Sequence, residues 1–189
     1  MTDEQAMWLV QTADDHLAFA RLVERWETPI FRLCSRMTGD AHRGEDLKQE
    51  AFSRVFTRRK GYHPRSRFST WLWRIALNLC YDELRRKQRS AMHLVEGELC
   101  EAPLELASGE AGPDIRVVER EESELVRKAL LRLDEDLRTV VVLRFSEGLK
   151  FREIAELLDI PQGTVNSRIA AGLARLTRIL EPDFGTRKY

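Results

Sequence analysis

Residues 151 to 176, FREIAELLDIPQGTVNSRIAAGLARL, admit very few folds. Ile154, Leu158, Ile160, Val165 and Ile169 recur at helical spacing on both sides of a break at 159–163, so two short helices share one apolar seam. Pro161 cannot continue the first helix, and Gly163 with Thr164 suits the start of the second. Ala155 is small where the helices must cross closely. The segment reads as a helix-turn-helix. A second helix of this kind presents its first turns to the major groove, which makes Thr164, Asn166, Ser167 and Arg168 the candidates for DNA contact. Arg168 suits a guanine edge or a phosphate, and the short polar groups suit base edges or backbone.

Upstream of this motif, residues from about 119 to 132 predict a charged helix and residues from about 135 to 146 a second one, ended by Gly148. The N-terminal part of the chain is also helical in pattern. Phe19, Leu22, Val23, Trp26, Ile30, Leu33, Cys34 and Met37 form one stripe, with a kink or break caused by Pro29 expected near Trp26. Gly39 ends that helix and Asp40 caps the next, whose inner face is Leu47, Ala51, Phe52, Val55 and Phe56. On its opposite face stand Asp46, Gln49 and Glu50, which read by themselves as an acidic first turn complementing the helix dipole. A third helix, capped by Ser69 or Thr70, buries Trp71, Leu72, Ile75, Ala76 and Leu79. Trp73 lies off that stripe near Arg65, Arg67, Arg74, Tyr62 and His63. Two readings of it stand: a platform for unpaired bases, or a ring packed on the first helix.

Charge divides the chain into blocks that a net charge of zero conceals. Residues 1–89 hold 17 Lys/Arg against 12 Asp/Glu, residues 90–126 hold two against ten, and residues 127–189 hold 12 against nine. No carboxylate occurs from Ala51 to Tyr81, a stretch that carries seven cations and suits a polyanion. Residues 91–117, with Pro103, Pro113 and three glycines, read as an acidic, flexible linker between units at 1–90 and 118–182, with a tail at 183–189. The expected fold class is therefore all-α: two small helical bundles. No apolar run approaches the roughly 20 residues that cross a bilayer. The three cysteines form no CxxC pair and the four histidines are scattered, so neither a metal nor another cofactor is expected. No Walker A, HExxH, GxSxG or dinucleotide-binding glycine pattern appears, and no catalytic residue is assigned.

Two long motifs in this order, GEDLKQEAFSRVF with FSTWLWRIALNLCYDELRR and then EGLKFREIAELLDIPQGTVNSRIAAGLARL, resemble the extracytoplasmic-function (ECF) group of bacterial RNA polymerase sigma factors over residues 15 to 180. The resemblance implies a cytoplasmic, non-enzymatic subunit that directs core RNA polymerase to promoters and nucleates their melting, and it implies control by an anti-sigma factor. The first bundle would correspond to sigma region 2. Asp46, Gln49 and Glu50 would dock on the polymerase. Tyr62, His63, Arg65 and Arg67 would hold a base of the minus-ten element, and Trp73, Arg74, Asn78, Arg85 and Arg86 would hold the melted strand. The second bundle would correspond to region 4 and read the minus-thirty-five duplex through Thr164, Asn166, Ser167 and Arg168. Some positions depart from the family pattern: Gly44 at a helix-favouring site, Leu77 where arginine is common, Asp134 for a frequent proline, Lys150 for a capping Ser or Thr, and Asp159 for the turn glycine. The Leu77 departure implies one phosphate contact fewer. A competing reading is a stand-alone helix-turn-helix regulator that binds a palindromic operator as a dimer.

Overall fold

The computed structural model describes residues 1–63, 67–95 and 124–185. All regular structure among them is helical. Four helices form the first bundle: α1 (Asp3–Ala13), α2 (His16–Thr38), α3 (Ala41–Thr57) and α4 (Phe68–Val95), with a 3-10 turn at Arg59–Gly61. The second contains α5 (residues 124–131), α6 (Glu135–Val141) ending in a π-helical turn (Val142–Ser146), α7 (Phe151–Leu158) and α8 (Gln162–Gly185).

Helix α1 was not anticipated from the sequence. It has a capping box, in which the Thr2 hydroxyl accepts from Gln5 N and the Gln5 side chain accepts from Thr2 N. Ala6, Met7 and Val10 are its buried face. Asp3 pins it to α2 by accepting from Trp26 Nε1 at 3.0 Å and pairing with Arg25.

Helix α2 is continuous through Pro29, so the expected break is absent. Proline leaves the carbonyl four residues earlier without its helical donor, and that residue, Arg25, is exposed, so water can satisfy it. Gly39 ends α2 in the left-handed region (φ 72°), and the Asp40 carboxylate caps α3 by accepting from Arg43 N at 3.0 Å. The departure at Gly44 has a packing cause. A Cβ there would stand 2.9 Å from Ser35 Cα and nearer still to the Ser35 hydroxyl, so glycine lets α3 cross α2 at close range.

Ser69 and Thr70 lie inside α4 rather than capping it. The Glu4 carboxylate, from α1, accepts from Phe68 N at 3.3 Å and does the capping across the bundle. At its other end α4 runs to Val95, past residue 91 where the linker was expected to start; residues 96–117 of that linker and Arg65 lie outside the described residues.

In the second bundle, Asp159 adopts the left-handed conformation (φ 55°) that ends α7. The cap of α7 is supplied by Glu153, whose carboxylate accepts from Lys150 N at 2.8 Å, so the Lys150 side chain is not needed for it. Buried Ile154, Val165 and Ile169 form the seam that the sequence pattern indicated.

The buried side chains of both bundles make one continuous cluster. Arg138 joins them: although only 7% exposed, its guanidinium donates to the carbonyls of Leu130, Leu131 and Leu133 and to Met37 O, the last at 2.7 Å and in the other bundle.

Candidate polymerase and nucleic-acid interfaces

Three surfaces carry the residues singled out from the sequence. On α3, Asp46, Gln49 and Glu50 are all exposed on one face, since offsets of three and four residues place side chains together. Asp46 pairs with Arg43 at 3.2 Å, Glu50 with Arg54 at 2.8 Å, and Gln49 donates to Glu45 at 3.1 Å. These are surface pairs of small individual worth, so a partner's cations can displace them.

Between α3 and α4, Glu83 is buried and receives Arg43 at 2.8 Å and Arg86 at 3.0 Å. Burial pushes its carboxyl up, but the bonds and charges of the two arginines outweigh that and hold it below the usual range. Glu83 thereby ties the acidic helix to the basic one. Sequence reasoning passed over it because a single carboxylate in a DELRR run gives no sign of being inward.

The second surface is α4 with the loop before it. His63, Arg67, Arg74, Asn78, Arg85 and Arg86 are exposed. The Tyr62 ring is buried instead, 5.2 Å from Trp71 and 6.3 Å from Phe68 between ring centres, and Gln11 of α1 donates to its carbonyl. Trp73 is 4% exposed and meets Trp26 of α2 edge-on at 5.8 Å. That geometry matches the packing alternative for this residue. Leu77 is buried as well.

The third surface is the N-terminal half of α8. Asn166 and Ser167 are exposed, while Thr164 and Arg168 are half-buried. The Ser167 hydroxyl donates to Thr164 O at 3.0 Å, and Arg168 is held by Asp136 of α6 at 2.6 Å. Asp134 reaches Arg175 at 3.5 Å, so two of the acidic side chains at the start of α6 have cationic partners. No cluster of metal-ligating side chains occurs among the described residues.

Family models match both bundles in the expected order: Sigma-70 region 2 over residues 22–90, and Sigma-70, region 4 over residues 123–176. The chain is 35% identical over 171 residues to the ECF RNA polymerase sigma factor SigW of Bacillus subtilis (strain 168), covering 88% of this chain and 90% of that one. It belongs to the ECF sigma factors. Another ECF relative, the sigma-E factor of Escherichia coli (strain K12), is 32% identical over 188 residues, covering 96% of each chain. Among solved structures, CnrH in complex with the cytosolic domain of CnrY superposes with a TM-score of 0.71 at 22% identity, over 96% of this chain and 98% of that one. The sigma factor RpoE bound to the anti-sigma factor NepR, from Bartonella quintana, gives 0.66 at 20% identity, over 86% and 96%. These two likenesses concern the fold. As an ECF sigma factor the protein is a transcription initiation factor, and no helix among the described residues is long and apolar enough to cross a membrane.

Proposed function

We propose that this sigma factor seats on core RNA polymerase through the acidic face of α3, selects promoters through two separate DNA surfaces, and contributes no catalytic group of its own. Asp46, Gln49 and Glu50 accept charge-assisted bonds from polymerase cations. Arg67, Arg74, Asn78, Arg85 and Arg86, with His63 and Arg65, track the backbone of the opened minus-ten strand. Tyr62 and Trp73, whose rings are buried, support that strand from beneath. Thr164, Asn166, Ser167 and Arg168 read the minus-thirty-five duplex. The work takes place in the cytoplasm, where polymerase and promoters are, and an anti-sigma protein, as NepR is to the Bartonella quintana RpoE, silences it.

One observation carries this reading. A helix-turn-helix with exposed leading turns and a carboxylate-free basic segment occur in the same chain as an exposed acidic helix, which supports a protein that holds two states of DNA and a protein partner together. Opening follows from selective binding: an assembly with higher affinity for the melted promoter shifts the equilibrium by that difference. The test is retention by purified core polymerase followed by run-off transcription on a genomic fragment library. Retention with discrete transcripts is expected. Failure to bind polymerase, combined with tight occupancy of a palindromic operator by the chain alone, would overturn the proposal.

A further inference from the structure

Three hydrogen bonds run from α1 to the two ends of the stretch that joins the 3-10 turn to α4. The Gln11 side-chain amide has two hydrogens and donates to two carbonyls, Lys60 O at 3.1 Å and Tyr62 O at 3.0 Å. At the other end the Glu4 carboxylate accepts from Phe68 N at 3.3 Å. Asp14, at the end of α1, adds an ion pair to Arg59 of the turn at 2.6 Å, and Arg59 in its turn donates to Phe56 O at 2.8 Å.

Glu4 and Gln11 stand seven residues apart in the sequence, which is about two turns along one helix face, or about 10 Å of rise. The six peptide steps from Tyr62 to Phe68 could by themselves span anything up to about 20 Å. Bonds to a rigid helix replace that freedom with a fixed interval. Helix α1 is itself anchored, since Ala6, Met7 and Val10 are buried and Asp3 accepts from Trp26 Nε1 of α2 at 3.0 Å. Below the interval, the Tyr62 and Phe68 rings meet at 6.3 Å between centres and are 2% and 0% exposed, so close packing keeps the flanks from yielding inward. The bonds of Gln11 and Glu4 go to main chain and not to the side chains assigned to DNA. Recognition of a base by hydrogen bonds needs its partners held to about 0.5 Å, so a shift of either flank alters which base fits.

We propose that α1 is the spacer of the minus-ten contact: Gln11 and Glu4 are positioning residues that fix the interval between the flanks at Tyr62 and Phe68, and thereby set base preference at that element without touching DNA. This deepens the promoter reading and rests on it. A loosened flank lets His63 and Arg67 drift, which weakens the fit to the right base and relieves the misfit of a wrong one. Preference then falls more than binding does.

The test uses the full-length chain with core polymerase on a promoter drawn from the run-off library, together with single-base variants of that promoter through the minus-ten element. Run-off yields give the preference at each position; retention by polymerase and binding to the minus-thirty-five duplex are the references. Gln11→Leu keeps a long, helix-favouring side chain and removes both donors, and Glu4→Ala removes the acceptor. Each should lower the ratio of the preferred to the next-best base by about fivefold or more at a minus-ten position, with both references within about twofold of the parent. Glu4→Gln retains an acceptor oxygen and should rescue the parental ratio. Unchanged ratios in folded Gln11→Leu and Glu4→Ala, or an equal loss of transcript on every promoter variant, overturn the proposal. So does a Glu4→Gln chain that keeps the Glu4→Ala profile. If only one of Gln11→Leu and Glu4→Ala folds, it decides alone; if neither folds, the two side chains are structural and the proposal fails. A parent chain that initiates nowhere, or has no preference at the minus-ten element, refutes the promoter reading itself, and the spacer falls with it.

Discussion

Single positions in this protein show where a family pattern is silent about physics. Gly44 stands at a helical site that favours other residues, and nothing in the one-dimensional pattern explains it; the reason is the backbone of α2 passing beside Ser35. Gly44→Ala is expected to destabilise the fold by about 1–3 kcal/mol despite its better helix propensity, because the added methyl must push two helices apart. The urea midpoint of the variant checks this. Glu83 and Glu147 are both buried glutamates facing arginines, yet they titrate in opposite directions. Two arginines hold Glu83 below its ordinary range against the effect of burial. At Glu147 burial is the larger effect and pushes the carboxyl up, Arg32 and Arg36 notwithstanding, and its Oε1 has no hydrogen-bond partner among the described residues. For Glu83, whose folded value is depressed, the stabilisation is present above the unfolded value and is lost as pH falls through the folded one. Glu83→Gln should therefore flatten the acid-side decline of stability, measured by denaturant unfolding across pH 3 to 7, a range of roughly four units around the carboxylate values.

At the scale of helices, what could be read from the sequence followed from period and punctuation. The α2 stripe, the Gly39 stop, the Asp40 cap and the helix-turn-helix were legible because each is a local pattern with a local cause. The start of α4 was not, since its cap is Glu4, a residue 64 positions away. Helix α1 was missed for a different reason: it is short, and its capping box of Thr2 and Gln5 is the only strong mark it leaves. The leading half of α8 carries a prediction. Asp136 holds Arg168 at 2.6 Å, so part of the cation's affinity for DNA is spent on α6. Asp136→Asn should strengthen binding to the minus-thirty-five duplex, whereas Arg168→Ala should weaken it by about 1–3 kcal/mol and relax base preference where Arg168 contacts an edge. Gel-shift titrations with single-base variants of the duplex separate these effects from a uniform loss, which would mark a phosphate contact.

For the whole molecule, the two bundles were legible and their mutual docking was not. Docking rests in part on main-chain carbonyls, those of Glu156 and Leu157 in α7 that accept from Arg74 and that of Met37 that accepts from Arg138, and a carbonyl has no distinct sequence sign. The buried Glu147 makes this docking sensitive to acid. Because its carboxyl is raised where the bundles are docked, the docked chain binds a proton more readily than a parted one does. Docking should therefore tighten as pH falls from that raised value to the ordinary carboxylate value and be insensitive to pH above it. Energy transfer between dyes placed on the two bundles, followed across mildly acidic to neutral pH, should report looser docking as pH rises in the parent and lose that component in Glu147→Gln.

Arg138 sets a rule for how this protein can change over generations. All four of its acceptors are peptide oxygens, which every amino acid possesses, so these bonds place no demand on the side chains of Met37, Leu130, Leu131 and Leu133, which core packing alone constrains. This part of the junction depends on a single planar cation, for which lysine, a point charge with no fork, is no substitute.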